Sequence, residues 1–311
     1  MKAIAAAALL LAVSFAHAAD RFSFAALGDT PYFRHEVTAL PRLLASLADA
    51  GVAFAVHVGD LKSGSSPCTD ELLAERRALL DASPVALVFV PGDNDWADCH
   101  REAAGGFDPL ERLARLRETF FAGEASLGRR RLALARQSAD PRFADYRENV
   151  RWTMGGVVFV ALNVPGSNNN LGRTRAGDAE HAARMTANRA WLALAAEHAA
   201  APGAHGLVVF AHGDPRFGAR ARRGDGYAAF RDDLREVAAR LGKPLLLVHG
   251  DGHRYRVDQP LRDPQTGALL TNFTRLEVFG SPAVNWVRVE VDPGAERLFS
   301  ISPGVPGPGA P

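Results

Sequence analysis

FSFAALGD, residues 22–29, is an unbroken apolar run that stops on Gly-Asp. Four later runs repeat it: FAVHVGD at Asp60, LVFVPGD at Asp93, LVVFAHGD at Asp214 and LLLVHGD at Asp251. Short continuous apolar runs are the mark of strands buried on both faces, as in parallel sheets. In open α/β sheets ligands sit just beyond the carboxyl ends of the strands, so five such ends would gather five aspartates. Carboxylates crowded together repel, and a divalent cation relieves that repulsion. The Gly before each Asp lets the chain turn sharply and brings backbone close to whatever is bound. One Gly-Asp pair is only a turn signal; five at strand ends point to a shared site.

The segments between the runs complete a βαβαβ order. From His35 to Ala50, Val37, Leu40, Leu43, Leu44 and Leu47 recur at helical spacing, and Gly51 stops the helix. Glu71 to Leu80 and Leu110 to Phe121 read as further helices, the second with a charged outer face. Such an order demands right-handed crossovers and a parallel sheet. The basic stretch Arg129 to Arg136 is interrupted by Leu132 and Leu134 and reads as a solvated helix face. Arg151 to Leu162 reads as two strands joined at Gly155-Gly156. NVPGSNNNLGRTRAG, from Asn163 to Gly177, is a loop whose asparagines either meet a ligand or serve turn chemistry. A long helix from Asp178 to Ala199, a strand starting near Leu207 and a helix from Tyr227 to Leu241 follow. Beyond Asp251 come strands without helices, at 255–257, 276–279, 285–291 and 298–301, read as a second, largely antiparallel sheet on the first.

The chain has 311 residues and a formal charge of 36 − 35 = +1, which points neither to nucleic acid nor to an acidic membrane surface. A small molecule is the expected partner, and no protein partner is evident. Met1-Lys2, an apolar stretch from Ala3 to Phe15 and Ala16-His17-Ala18 have the form of a secretory signal peptide over residues 1–18. Periplasmic or extracellular location follows from it. An uncleaved anchor is the alternative, although the apolar part is shorter than the roughly 18–20 residues of a span. Residues 19–302 form one domain, and residues 303–311, at the end of SPGVPGPGAP, are expected to be disordered. Cys68 and Cys99 each lie a few residues past a Gly-Asp end. In an oxidising compartment they could pair and brace the site; otherwise they are two free thiols.

His212 and His249 each stand two residues before an Asp, and His253 two residues after Asp251. Side chains two apart on an extended chain share a side, so imidazole and carboxylate are presented together, as a metal requires. His57 is three residues before Asp60 and either faces the core or reaches the site through a bulge. His181, His198 and His205 lack such a partner and read as surface residues.

This order of blocks, over roughly residues 22–258, resembles the calcineurin-like metallophosphoesterases, whose blocks read D-x-H, G-D, G-N-H-[DE], a lone His and G-H-x-H. The resemblance implies an α/β fold, a two-sheet αββα sandwich with a parallel βαβ core and an antiparallel C-terminal sheet. It also implies two divalent metal ions. Asp29 would bind the first and Asp60 would bridge; Asp93, His212, Asp251 and His253 take the positions of the remaining ligands. The implied activity is that of an exported divalent-metal-dependent phosphoesterase, a phosphomonoesterase or phosphodiesterase, that uses metal-activated hydroxide on a small phosphorylated substrate.

Three positions depart from the pattern. Asp29-Thr30-Pro31 lacks the first histidine, a gap for Tyr32 or a further water. Gly92-Asp93-Asn94-Asp95 puts Asn94 where the family has its acid histidine, and Asp251 replaces another histidine. The oxygen-rich set favours manganese or iron, with magnesium or zinc as alternatives. For catalysis His249 is the preferred stand-in proton donor beside Asn94, with His100 and His57 as alternatives, and Asp95 orients a neighbour. Arg173, Arg175 and Arg216 either clamp phosphate oxygens or are simply solvated. Asn94 also suits a rival, a metal-binding protein on the same scaffold that has lost turnover. No G-x-S-x-G elbow or phosphate-cradling G-x-x-x-x-G-K-[ST] is present.

Overall fold

A computed structural model describes residues 21–304 other than 219, 221 and 264. The chain runs β1 (Phe22–Leu27), α1 (Arg34–Asp49), β2 (Phe54–His57), α2 (Asp70–Asp81), β3 (Ala86–Phe89) and α3 (Pro109–Phe120). It continues through β4 (Ala135–Arg136), β5 (Val150–Met154), β6 (Val157–Ala161), the single turn α4 (Gly166–Asn169), α5 (Arg175–Ala200), β7 (Gly206–Phe210) and α6 (Ala228–Leu241). It closes with β8 (Leu245–His249), β9 (Arg256–Asp258), β10 (Phe273–Glu277), β11 (Val287–Val291) and β12 (Phe299–Pro303). Two mixed sheets result, ordered β12-β11-β1-β2-β3 and β4-β5-β6-β7-β8-β10-β9.

The apolar runs are continuous because each strand is buried on both faces. In β1, Phe24 and Ala26 face the layer between the sheets, and Ala25 and Leu27 face the helices. The inter-sheet layer joins Phe24, Phe54 and Val56 of the first sheet to Phe159, Phe210 and Val248 of the second. Leu40, Leu44 and Leu47 of α1, with Leu113 and Leu116 of α3, cover the first sheet's outer face. Met185, Trp191 and Leu192 of α5, with Phe230 and Leu234 of α6, cover that of the second. The result is the expected two-sheet sandwich, with β1, β2 and β3 parallel in one sheet and β7 and β8 parallel in the other.

Two expectations are corrected. The C-terminal strands do not form a sheet of their own: β11 and β12 extend the first sheet antiparallel from β1, while β10 adds parallel to β8 and β9 antiparallel to β10. Each growing sheet offers an unpaired edge, and the late strands add to these two edges as two antiparallel pairs, β11 with β12 and β10 with β9, rather than as one sheet. Arg129 to Arg136 is not helical; an Ala125–Ala133 bridge and β4 run through it, and Arg131 pairs with Asp81 at 2.9 Å. At the C-terminus β12 reaches Pro303, one residue into the segment read as a tail, and residues 305–311 lie outside the described ones. The signal-peptide segment lies outside them too. No helix among the described residues is long and apolar enough to cross a membrane.

Cys68 and Cys99 form a disulfide across 31 residues, tying the loop after β2 to the loop after β3. A loop of that size restricts the unfolded chain by about 3–4 kcal/mol. Urea denaturation of a Cys68→Ala, Cys99→Ala variant should therefore show a loss of about 3 kcal/mol; an unchanged midpoint and slope would mean that the bond does not stabilise the fold.

Candidate metal centre

The strand ends of both sheets meet at one rim, and their turns are strained. Asp29 (φ 52°), Asp60 (φ 61°), Asp251 (φ 72°) and His253 (φ 59°) all adopt the left-handed conformation. It costs a non-glycine residue roughly 1–2 kcal/mol, and such strain gathers at functional sites where surrounding contacts enforce it. Here those contacts are hydrogen bonds between turns. Asp29 N donates to Gly59 O at 2.9 Å, and Asp251 N donates to both Asp29 oxygens at 3.1 and 3.2 Å. Asp95 is fully buried and accepts from Asp60 N at 2.9 Å, Leu61 N at 2.8 Å and Gly92 N at 2.7 Å. Its carboxylate thereby ties the turn at Asp60 to the turn at Gly92.

Two overlapping groups of ligand atoms result. Atoms of Asp29, Asp60 and His212 lie within 4.8 Å of one another, as do atoms of Asp93, His212 and Asp251. The His212 Nδ1–H donates to Val58 O at 2.7 Å, which turns Nε2 to Asp93 Oδ1 at 3.0 Å, Asp60 Oδ1 at 3.4 Å and Asp251 Oδ1 at 4.0 Å. The His253 Nδ1–H donates to Ser281 O at 2.9 Å, leaving Nε2 3.4 Å from Asp29 Oδ1 and 3.3 Å from the Tyr32 hydroxyl. Tyr32 OH donates to Asp60 Oδ2 at 2.8 Å, and Asn94 Nδ2 donates to the same oxygen at 2.5 Å. The phenol thus lies between Asp60 and His253.

The donor set fits divalent cations. Asp29, Asp60 and Asp93 are almost wholly buried, and carboxylates this close cannot all ionise cheaply. Burial and the charges of Asp93, Asp95 and Asp29 push the Asp60 carboxyl well up, against the opposing charge of His212. Burial alone would lower the His212 imidazole, but the Asp60 charge and the Asp93 hydrogen bond hold it well above its usual value. Asp93, by contrast, is depressed: burial would raise it, and the His212 hydrogen bond and charge outweigh that. Without a cation, then, the cluster retains protons. Glycines keep the cradle open. A Cβ at Gly166 would lie 2.4 Å from Asp93 Oδ1 and 2.5 Å from Asp251 Oδ1, and one at Gly250 would lie 2.3 Å from Asp29 Oδ2. Four carboxylates and two imidazoles suit manganese, iron, magnesium or zinc in that chemical sense.

Above the cluster lies an open cleft of about 410 Å³, lined by Tyr32, Asp60, Asp93, Asn94, Asp251 and His253 together with Asp98, Arg101, Ser167 and Arg216. Asp98, Arg101 and Ser167 carried no sequence signal. Ser167 Oγ is 2.8 Å from Asp93 Oδ2 and 2.7 Å from Asp98 Oδ2, and Arg101 pairs with Asp98 at 2.5 Å. Burial and the Asp93 charge hold the Asp98 carboxyl up to about 6. Lys62, also unforeseen, is buried, feels the charges of Asp95 and Asp60, and donates to Ser66 O at 2.9 Å.

Other expected residues fall outside the cleft. His249 is buried with Nδ1 against Gly250 O at 2.9 Å and does not line it; burial holds the imidazole down at about 4, so it has no proton to give near neutrality. His57 is the core histidine of the two readings, bonded to Thr30 O at 2.7 Å and to Gly59 N at 3.2 Å. Of the three arginines, Arg216 lines the cleft, and Arg173 and Arg175 do not. Asp214, the fifth Gly-Asp end, is a brace: its N–H donates to Asp251 Oδ2 at 3.0 Å and its carboxylate faces Arg256 at 3.4 Å.

No protein-family model matches the chain, and no curated protein matches it. Solved structures do. A dimetal phosphatase from Danio rerio superposes with a TM-score of 0.53 at 14% identity, over 86% of this chain and 92% of that one. The fold is that of the calcineurin-like metallophosphoesterases. PhoD matches with a TM-score of 0.54 at 13% identity, over 91% of this chain and 68% of that one. A purple acid phosphatase from yellow lupin (Lupinus luteus) seeds matches with a TM-score of 0.53 at 12% identity. There the match spans 91% of this chain but only 53% of the lupin protein, about half its length.

Protons retained by Asp60 and His212 must leave when a cation enters. Both groups sit above their ordinary values, so manganese affinity should rise from pH 5 to pH 8, with proton release visible as buffer-dependent heat in titration calorimetry. A flat profile would place binding elsewhere. Gly166→Ala inserts a methyl group between Asp93 and Asp251 and should weaken manganese binding by 10-fold or more, roughly the loss produced by disturbing a ligand's surroundings; unchanged affinity would remove these two residues from the ligand set.

Proposed function

We propose that this chain is an exported, divalent-metal-dependent phosphoesterase acting on small phosphate esters. The observation that carries the proposal is the pair of carboxylate–imidazole groups sharing His212 at the floor of an open cleft, in a fold whose solved relatives include a dimetal phosphatase. Asp29, Asp60 and His253, with Tyr32 beside them, would hold one cation; Asp60, Asp93, His212 and Asp251 would hold the other. Manganese or iron is the expected metal. Cations held there would supply a water with a pKa lowered towards about 7 and positive charge against the phosphoryl oxygens.

The protein's own groups divide the remaining work. Asn94 Nδ2 and Tyr32 OH converge on Asp60 Oδ2 and orient that carboxylate between the two groups. Arg216 and Arg101, which line the cleft, would hold non-bridging phosphate oxygens. Asn94 cannot hold a proton for a leaving group, and His249 is out of reach. Asp98 is the cleft-lining acid that takes this task, carried on the turn after β3 that Cys99 ties to Cys68.

A second reading, a metal-binding protein without turnover, is favoured by Asn94 alone. Assays on p-nitrophenyl and bis-p-nitrophenyl phosphate with manganese separate the two. Metal-dependent turnover that falls at least about 100-fold in Asp60→Asn supports the enzyme; absent turnover, or turnover indifferent to that change, rules it out. Asp98→Asn should lower the rate about 100-fold on an alkyl phosphate, the usual weight of a general acid, and far less on p-nitrophenyl phosphate, whose leaving group departs without a proton. Equal losses on both esters would remove Asp98 from proton transfer.

A further inference from the structure

The buried stripe of α1 runs Glu36, Leu40, Leu43, Leu44 and Leu47, so a carboxylate occupies the first place on an otherwise apolar face. Glu36 is fully buried. Among the described residues the one basic side chain within 4 Å of it is the exposed His35, at 3.9 Å. Packing alone would be met by a leucine, and burying a carboxylate is costly unless its oxygens are filled. Neutral donors fill them. Oε2 accepts from Tyr32 N at 2.6 Å and Thr30 Oγ1 at 3.4 Å, and Oε1 accepts from Ser281 Oγ at 2.6 Å.

These donors belong to the two segments that frame the Asp29 side of the cluster. Ser281 O accepts the His253 Nδ1–H, and His253 Nε2 meets the Tyr32 hydroxyl at 3.3 Å. Hydrogen bonds therefore run from Tyr32 N and Ser281 Oγ to Glu36 and from His253 Nδ1 to Ser281 O, and the Tyr32 hydroxyl packs against His253 Nε2 at the far end. This network fixes the rotation of the His253 imidazole through Ser281 and the backbone position from which the Tyr32 phenol reaches Asp60. His253 itself is held in the left-handed conformation at φ 59°, a state that persists only under outside restraint.

We propose that Glu36 is a positioning residue that presets Tyr32 and His253 for the cation on the Asp29 side, an inference that rests on the metal reading above. Outer partners of this kind typically contribute 10- to 100-fold in metal affinity or activity. The test titrates manganese into the metal-free full-length protein, followed by electron paramagnetic resonance and calorimetry, with circular dichroism to confirm folding. Wild type should bind two ions. Glu36→Leu should bind one as wild type does and the other about 10- to 100-fold more weakly, with kcat reduced by a similar factor and KM unchanged. Glu36→Gln should recover most of the loss, since its amide oxygen can accept from Tyr32 N and its NH₂ can donate to Ser281 Oγ. If Glu36→Leu does not fold, Ser281→Ala, which removes one of the donors to Glu36, should weaken the same ion selectively.

Two ions bound with wild-type affinity in a folded Glu36→Leu or Ser281→Ala variant would overturn the proposal, as would Glu36→Gln behaving no better than Glu36→Leu. Wild type binding two ions without hydrolysing any ester would overturn the phosphoesterase reading alone, and the affinities would still decide the role of Glu36. Wild type binding no manganese would overturn both.

Discussion

Crowded negative charge is the constraint around which the rim of this molecule is organised. Asp29, Asp60, Asp93 and Asp251 converge on His212 in a largely buried volume. In such surroundings like charges interact far more strongly than in water. The polypeptide answers this locally: His212 is drawn towards its charged form, the buried Lys62 lies within reach of the charges of Asp95 and Asp60, and Asp95 is saturated with backbone N–H groups. These measures stop short of neutrality. Four carboxylates would match the charge of two divalent cations, the centre proposed for them.

The sandwich supplies the geometry that makes the convergence possible. Three aspartates leave the first sheet, while His212, Asp251 and His253 leave the second, and the hydrogen bonds from Asp251 N to Asp29 stitch the two together. A ligand set split between two sheets depends on how the sheets pack. The aromatic layer of Phe24, Phe54, Phe159 and Phe210 is thus part of the site's architecture, with Phe24 and Phe54 stacked at 5.1 Å.

Much of this was legible in the residues. Strands buried on both faces write themselves as unbroken apolar runs, and of their five Gly-Asp ends four bring aspartates that meet. The limits are equally physical. Which edge a late strand joins is decided by the partner's free hydrogen-bonding groups, not by its own pattern, so β9 to β12 could be recognised but not allocated. Asp98, Arg101 and Ser167 reach the cleft from turns whose course depends on tertiary contacts, including the Cys68–Cys99 bond. His249 misled because alternation along a strand predicts a side, not whether that side opens to a cleft. Glu36 left a trace that could have been read: a charge in register with Leu40, Leu43, Leu44 and Leu47 on an apolar stripe. Ser167 to Asn170 form a left-handed turn, with φ between 48° and 62°, where asparagine is better tolerated than other side chains. The asparagine run there answers to turn chemistry as well as to the cleft.

The most direct test is the anomalous difference map of a crystal grown with manganese. The account predicts two peaks flanking Asp60, about 3.5–4 Å apart as in two-metal phosphoryl-transfer sites, one near Asp29 and His253 and the other near Asp93, His212 and Asp251. Manganese bound elsewhere, or a cluster whose carboxylates meet only protons and water, would contradict it.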